Sequence, residues 1–220
     1  MEINQLINIM TEGILETLYM TVVSTVLAYV LGIPLGVILF ITDKDGIAEN
    51  GVINQVLGVI VNLLRSVPFI ILLVAILPFT RFVVGTTIGA TATIVPLVVA
   101  ATPFVARMVE SSLKEVNGGV IEAALSMGSN NLQIITKVLL PEAKPSLIVG
   151  STIAITTILG YSAMAGFVGG GGLGAIAINY GYYRYQEDIM LITVILLVIV
   201  VQVFQETGMK IASGTDKRRR

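Results

Sequence analysis

From Thr17 to Thr42 the sequence reads TLYMTVVSTVLAYVLGIPLGVILFIT, 26 residues without a charged side chain. A helix needs about 20 mostly apolar residues to cross the hydrocarbon core of a bilayer, and this run is longer. Its apolar residues are continuous rather than alternating, which favours a helix over a membrane strand. Because lipid offers no partner to backbone N–H and C=O groups, such a run pairs them internally as a helix. The stretch therefore predicts a transmembrane helix, which we place at 14–41.

Four further apolar segments predict membrane helices at 58–78, 88–106, 146–168 and 189–205. The whole chain is 55% hydrophobic and 12% charged, whereas a soluble domain carries roughly 25% charged residues. This excess of apolar surface requires lipid as its solvent. The segment 58–78 is interrupted by Arg65, which we place near the cytoplasmic end, where its long stem can snorkel. The sequence predicts an all-α integral membrane protein with one domain over 1–220 and five transmembrane helices.

The composition argues against several classes of function. Cysteine and histidine are both absent, which removes disulfides, thiol nucleophiles and the usual ligands of zinc and haem. The membrane segments also lack paired carboxylates, so an intramembrane enzyme would have no evident acid–base groups. We predict no catalytic residue and no metal site. The net charge of −1 gives no general attraction to nucleic acid, and membrane lipid is the expected surrounding.

Basic residues predict the orientation. The first of them is Lys44, so the N-terminus lacks the positive region of a secretory signal. If the segment 117–145 is cytoplasmic, Arg81 and Arg184 lie outside, and the remaining basic residues all lie inside: Lys44, Arg65, Arg107, Lys114, Lys137, Lys144, Lys210, Lys217, Arg218, Arg219 and Arg220. The positive-inside rule favours this choice. The N-terminus is then outside and the C-terminus cytoplasmic. The tail 217–220 is interpreted as a topology anchor rather than a nucleic-acid patch.

The segment 117–145 predicts a short helix outside the membrane. Gly118 and Gly119 should end the helix that leaves the third span, and Val120–Met127 has a short helical pattern. Glu122 is expected in the first turn, where a carboxylate suits the helix dipole. Gly128 is the expected C-terminal stop.

A second helix should begin at Asn130, whose side chain can cap it, with Gln133 three residues further on. Helices of this length are marginal in water when isolated, so a partner or a neighbouring helix must hold them. From the residues alone, two interpretations stay open: a helix lying on the lipid surface, and a helix offered to another protein.

The same segment resembles the EAA loop of ABC importer permeases, a family of membrane subunits of ATP-driven transporters. The matching positions are Glu122, Ala123, Ala124, Gly128, Val138, Leu140 and Pro141, with valine at Val138 where isoleucine is usual. The resemblance implies a type I ABC importer permease fold with a cytoplasmic coupling helix, whose docking residues are Glu122, Ala123, Ala124 and Gly128. It also implies a homodimer, two copies of an ABC ATPase subunit that use ATP and Mg, and a periplasmic or lipoprotein binding protein.

Four stretches are similar to the methionine-uptake branch of that family or to related amino-acid permeases: 65–69, 78–86, 159–166 and 169–183. They imply methionine as the substrate, in both L and D forms, and location in the bacterial inner membrane. A permease for another amino acid, or an ATP-independent channel or carrier, stays open as an alternative. A carrier would usually have acidic groups within its spans, and we place Glu16 and Glu110 near helix ends.

The fourth span is rich in small residues and carries the predicted pathway residues Tyr161, Ser162 and Met164. Small residues allow helices to pack closely. Met164 is a flexible thioether among them, and a hydrophobic constriction at the two-fold axis would block water and ions. The alternative is ordinary helix packing.

Residues 169–174 read GGGGLG, which contains G-x-G-x-x-G. This run follows a membrane helix rather than a strand, so it fails as a nucleotide fingerprint. We expect a flexible outer loop, which with the tyrosines at 180, 182, 183 and 185 would lie at the outer membrane interface or touch a binding protein. The chain has no G-x-x-x-x-G-K-[ST] sequence. It is therefore predicted to bind no cofactor and to have no ATPase site of its own.

Overall fold

The computed structural model describes residues 3–215, and throughout this range the regular structure is helical. The tail 217–220, predicted to be a topology anchor, lies outside the described residues. The α-helices are α1 (Ile3–Ile41), α2 (Gly51–Ser66), α3 (Phe69–Ala75), α4 (Leu77–Val84), α5 (Ala90–Lys114), α6 (Gly118–Ser126), α7 (Asn131–Ile134), α8 (Leu140–Glu142), α9 (Lys144–Met164), α10 (Gly172–Ile176) and α11 (Glu187–Thr215). Two π-helical turns (Ile135–Leu139 and Ala177–Tyr182) and a 3₁₀ turn (Ala165–Val168) lie between them.

Four stretches are long and apolar enough to cross a membrane: Ile3–Ile41, Ala90–Lys114, Lys144–Tyr182 and Glu187–Thr215. A fifth crossing exists only if α2 and α3 together form one bent span. The predicted all-helical membrane architecture is confirmed, and five spans are the upper count within residues 3–215. The first helix begins at Ile3 rather than near residue 14. Its N-terminal turns carry Glu12 and Glu16, and charged residues of this kind obscure a helix start in an apolar pattern.

The predicted span 58–78 is not one continuous helix. Helix α2 ends at Ser66, α3 begins at Phe69, and the chain bends by 101° between them. Pro68 is the N-cap residue of α3, and its missing N–H group and ring prevent an α-helix from continuing through this point. Arg65 interrupts the apolar run, but Pro68, three positions later, causes the break.

The described residues form two compact units. The first unit contains the chain up to Ala28, Val67–Ala101 and Ala154–Glu206. Its core joins Met10 of α1, Leu173 and Ile176 of α10, and Ile189 of α11. The hydroxyl of Thr193 donates to the backbone of Ile189 at 2.7 Å, so that this polar group is satisfied within the apolar core.

The second unit contains Tyr29–Ser66, Thr102–Ile153 and the chain from Thr207 onward. Its core joins Leu39, Val61 and Ala106. Two glycines of α1 allow this packing, because a Cβ on Gly36 would lie 2.5 Å from the carbonyl oxygen of Ala106 and one on Gly32 would lie 2.6 Å from Val105. Glycines four residues apart therefore let α1 approach α5 closely, as in many membrane helix pairs.

Candidate functional site

Helix α6 begins with a capping hydrogen bond. The side-chain oxygen of Asn117 accepts from the backbone N–H of Gly119 at 2.8 Å. Gly118 and Gly119 were expected to break a helix, but they are the first two residues of α6. The prediction that Glu122 lies in the first turn is wrong as well, because this earlier start moves it into the second turn. Asparagine satisfies the free N–H groups of a helix start, and that stabilisation outweighs the low helix propensity of two glycines.

Helix α6 ends in the left-handed stop that the sequence predicts. Gly128 has φ +79°, a conformation that costs little only for glycine. Its N–H donates to Leu125 O at 2.9 Å, and the N–H of Ser129 donates to Ala124 O at 3.1 Å. This pair of bonds is the Schellman motif. Gly128 therefore sets the exit direction of the chain, with no neighbouring atom within 4 Å of a Cβ built on it.

Asn130 caps α7 as predicted. Its side chain accepts from the N–H of Gln133 at 2.9 Å, and the Gln133 side chain accepts from the N–H of Asn130 at 3.0 Å. This reciprocal capping box satisfies two free donors. The next turn, Ile135–Leu139, is π-helical and ends two positions before Pro141, which has no N–H to offer to the carbonyl of Lys137. A wider turn tolerates the missing bond.

The predicted docking residues do not all face outward. Glu122, Ala123 and Gly128 are exposed. Ala124 is only 3% exposed, and α6 packs against the π-helical turn Ile135–Leu139. Ala124 therefore presents almost no side-chain surface to a partner. Its small side chain lets α6 lie close to the rest of the loop, which is a positioning role.

Several large apolar side chains of α6 and of the segment that follows it are exposed: Val120 (41%), Leu125 (47%), Met127 (80%) and Leu132 (69%). We call these four residues, together with Glu122 and Ala123, the coupling surface. Sequence reasoning missed Met127 and Leu132. Both residues could have been recognised from the sequence as large apolar residues outside the predicted spans, where neither lipid nor a local core accounts for them.

A cluster of charged groups lies on α5, just before the loop. The Glu110 carboxylate, with its side chain 8% exposed, accepts from Arg107 Nη1 at 2.7 Å and from Lys114 Nζ at 2.9 Å. Arg107 Nη2 also donates to Gly58 O at 3.2 Å and to Asn62 Oδ1 at 3.0 Å. The cluster thus ties α5 to α2. Glu110 was expected near a helix end, and α5 does end at Lys114.

The charged cluster extends to Asp43, in the segment that follows α1. Lys114 Nζ lies 2.8 Å from Asp43 Oδ2. The hydrogen bond from Lys114, and a second from the backbone N–H of Lys44, hold the pKa of Asp43 below its usual value of 3.8. Two cations and two carboxylates balance in charge, so burying Glu110 leaves no net charge behind.

The predicted pathway residues of α9 differ in their surroundings. Ser162 is 1% exposed, and its hydroxyl donates to Leu159 O at 2.8 Å, so it is not free to line a pathway. The Tyr161 ring stacks on Phe69, with centroids 4.5 Å apart and planes 6° apart. Met164 is 48% exposed and is the last residue of α9.

The glycine segment 169–174 is firmly packed rather than flexible. Glu16 accepts from the N–H of Gly172 at 2.6 Å, and Thr17 Oγ1 accepts from the N–H of Leu173 at 2.8 Å. The N–H of Gly89 donates to Gly169 O at 2.9 Å. Glycine is required at Gly174, because a Cβ there would overlap the backbone of Ala163, which leaves no room for a side chain.

Glu16 was placed near a helix end, but it lies well within α1 (Ile3–Ile41). Its carboxylate makes the bond to Gly172 described above, so it has a structural task in the first unit. Among residues 3–215, no group of three acidic, cysteine or histidine side chains is arranged to hold a metal ion.

Comparison with known proteins bears directly on this arrangement. The family model described as "Binding-protein-dependent transport system inner membrane component" matches residues 28–207, most of the chain. This chain belongs to that family. The permease fold that the EAA loop implied is therefore confirmed, and the coupling surface lies within the matched range.

Individual relatives of the family agree over most of the chain. A probable D-methionine transport system permease protein of Vibrio cholerae is 53% identical over 203 residues, covering 92% of this chain and 90% of that protein. The methionine import system permease protein of Bacillus subtilis is 48% identical, covering 92% and 91%. A solved structure of the inward-facing MetNI methionine ABC transporter superposes with a TM-score of 0.96 at 46% identity, covering 99% of this chain and 100% of that one.

Proposed function

We propose that this protein is the membrane subunit of an ATP-driven importer of methionine, in its L and D forms. The observation that carries the proposal is similarity over nine tenths of the chain to relatives from two distant bacteria that are both described as methionine permeases. The near-complete superposition on a methionine transporter chain agrees with it. The pathway would form between two copies of this chain related by a two-fold axis.

The coupling surface supports an ATP-driven mechanism with a separate ATPase. Helix α6 is bounded by a cap at Asn117 and a left-handed stop at Gly128. It therefore presents its exposed apolar side chains to a partner in a defined position. An ATPase subunit that bound this surface would move α6, and the short loop would pass that movement to α5 and α9. ATP and Mg would be bound by the ATPase alone, since this chain has no sequence of the G-x-x-x-x-G-K-[ST] type.

The coupling surface can be tested with one charge. Ala123→Glu would place a carboxylate in the middle of the docking area, and we expect it to reduce copurification of the ATPase subunit by at least about tenfold, as burying an unpaired charge costs more than 1.4 kcal/mol. Ala123→Ser is the matched control, because it is small and neutral. Equal ATPase binding by both variants would contradict the docking role.

Met164 is proposed as a constriction of the pathway. Its exposure at the end of α9 supports this, since a large apolar side chain there is available to meet a second copy. Met164→Ala should increase uncoupled leakage of substrate from loaded vesicles, and Met164→Leu should preserve tightness because it keeps the volume. If vesicles with the Met164→Ala transporter retained substrate as well as those with the parent, the proposed constriction would be refuted. Ser162 is proposed only as a packing residue, and Tyr161 as a support through its stacking on Phe69.

The orientation proposed from basic residues places the coupling surface in the cytoplasm and the N-terminus outside. Transport in proteoliposomes tests the whole proposal. The full complex, with its ATPase subunits and a methionine-binding protein, should take up labelled methionine only with ATP present. Preferred uptake of another amino acid would refute the substrate, and uptake without ATP would indicate a channel or carrier.

A further inference from the structure

The turn between the last two candidate spans carries a group of exposed aromatic rings. We call residues 182–186 the tyrosine turn. Tyr182 is 59% exposed, Tyr183 is 58% exposed and Tyr185 is 87% exposed. Soluble surfaces rarely present three adjacent aromatic rings to water. The group therefore needs a partner outside this chain.

The backbone of the tyrosine turn is held in a fixed shape. Tyr185 has φ +56°, a left-handed conformation that is uncommon for any residue other than glycine. The N–H of Gln186 donates to Tyr180 O at 3.2 Å. The guanidinium carbon of Arg184 lies 4.5 Å from the centre of the Tyr180 ring, and Tyr180 packs on the core of the first unit. The rings of the turn are therefore presented outward by a rigid support.

The position of the tyrosine turn in the chain decides which partner it meets. It joins the candidate span Lys144–Tyr182 to the candidate span Glu187–Thr215, so it lies at a boundary of the membrane. Glu187 and Asp188 begin α11, and its first exposed large apolar side chain is Leu191 at 63%. Four residues of helix separate Glu187 from Leu191, which is about 6 Å along the axis. Only 11% of the most apolar window of α11 is buried within the chain.

We propose that the tyrosine turn is a lipid-interface anchor, with the rings of Tyr182, Tyr183 and Tyr185 in the headgroup region and Arg184 facing phospholipid phosphate. The rings have an apolar body and a hydroxyl, which suits a layer where one side is hydrocarbon and the other is water. Arg184 is the cation of the turn, and guanidinium binds phosphate oxygens in a two-pronged geometry. Such an anchor would fix the depth of α11 in the bilayer.

The anchor does not depend on which substrate is carried, nor on which side of the membrane the turn faces. A soluble binding protein is the competing partner for exposed tyrosines. Lipid is favoured because the exposed apolar surface of α11, which itself requires lipid, begins at Leu191, about one helical turn after the tyrosine turn.

The chain contains no tryptophan, so a single introduced tryptophan reports its own surroundings. We would replace Tyr185 by Trp, and in a second variant Tyr183 by Trp, in the full transporter complex reconstituted in phosphatidylcholine–phosphatidylglycerol nanodiscs. The spectrum of the parent complex is subtracted. Quenching is measured with lipids brominated high or low on the acyl chain, and with acrylamide in the water. Val198→Trp on α11 is the deep control, and Met127→Trp on the coupling surface is the water control, measured without ATPase subunits so that this surface stays free.

We expect Tyr185→Trp and Tyr183→Trp to be quenched at least about twofold more by the shallow bromines than by the deep ones, as tryptophan at an interface should be. Val198→Trp should show the reverse order. The proposal is overturned if the turn variants resist both brominated lipids and respond to acrylamide as Met127→Trp does. It is also overturned if they respond only to added binding protein, by a blue shift without quenching from lipid.

Discussion

The buried carboxylate of Glu110 offers the sharpest test of how the second unit is held together. Glu110→Gln keeps the size of the side chain and removes its charge. The two cations that bond to the carboxylate, Arg107 and Lys114, both lose its negative charge. The two ion pairs do not contribute equally to the expected loss of stability. Lys114 is about half exposed and keeps Asp43 at 2.8 Å, so water and one carboxylate still solvate it.

Arg107 loses more in this variant. Its side chain is 25% exposed, and its remaining acceptors would all be neutral: Gly58 O, Asn62 Oδ1 and the amide oxygen introduced by the substitution. Removing one partner of a buried ion pair costs about 3–5 kcal/mol when the charge left behind is buried and uncompensated. Because Lys114 is compensated and Arg107 is partly so, we expect a loss of about 2–3 kcal/mol, below that range.

The measurement is thermal unfolding of the purified permease in mild detergent, followed by far-ultraviolet circular dichroism. For a chain of this size, each kcal/mol lowers the midpoint by about 2–4 °C, so the midpoint should fall by about 4–12 °C. Glu142→Gln is the matched control, because Glu142 is exposed and outside the cluster. Its effect should stay within about 0.5 kcal/mol. Equal midpoints for the two variants would refute the assignment of Glu110 as a central residue of the second unit.

Three further predictions concern separate features. Gly36→Val should prevent stable folding or lower the midpoint by more than Glu110→Gln does, because its side chain would meet the backbone of Ala106; a variant as stable as the parent in the same melting experiment would contradict the close approach of α1 and α5. Met127→Glu should weaken binding of the ATPase subunit by about tenfold or more in a pull-down titration while leaving the melting midpoint unchanged, since the side chain is 80% exposed; a shifted midpoint or unchanged binding would count against the coupling surface. Asp43→Asn should lower the free energy of unfolding by at most about 1 kcal/mol between pH 5 and pH 8. Lys114 lowers the pKa of Asp43 below 3.8, so the parent has this extra stability above the unfolded pKa and loses it as the pH falls below 3.8. The melting curves of parent and variant should converge there.

The amino-acid sequence by itself determined the parts of this protein that depend on local chemistry. A run of apolar residues longer than the bilayer is thick must form a helix, so the membrane class follows from the residues 17–42. The capping box at Asn130 and the left-handed stop at Gly128 involve groups within five residues of one another. Such features need no knowledge of distant parts of the chain.

Local patterns misled where two signals competed. Two glycines at 118 and 119 were interpreted as a break, whereas the cap from Asn117 starts a helix there. The apolar pattern continued through Pro68, where the backbone could not follow it. In both places a hydrogen bond made or lost by the backbone had more influence than the average character of the segment.

Only the tertiary structure decided which residues meet across long distances in the sequence. Glu16 and Gly172 are 156 residues apart, and their hydrogen bond turns an apparently flexible glycine run into a packed segment. The same holds for the burial of Ala124, the inward bond of Ser162 and the charge cluster around Glu110. Sequence spacing carries no direct information on such contacts, because each of them depends on how separate helices pack once the chain has folded.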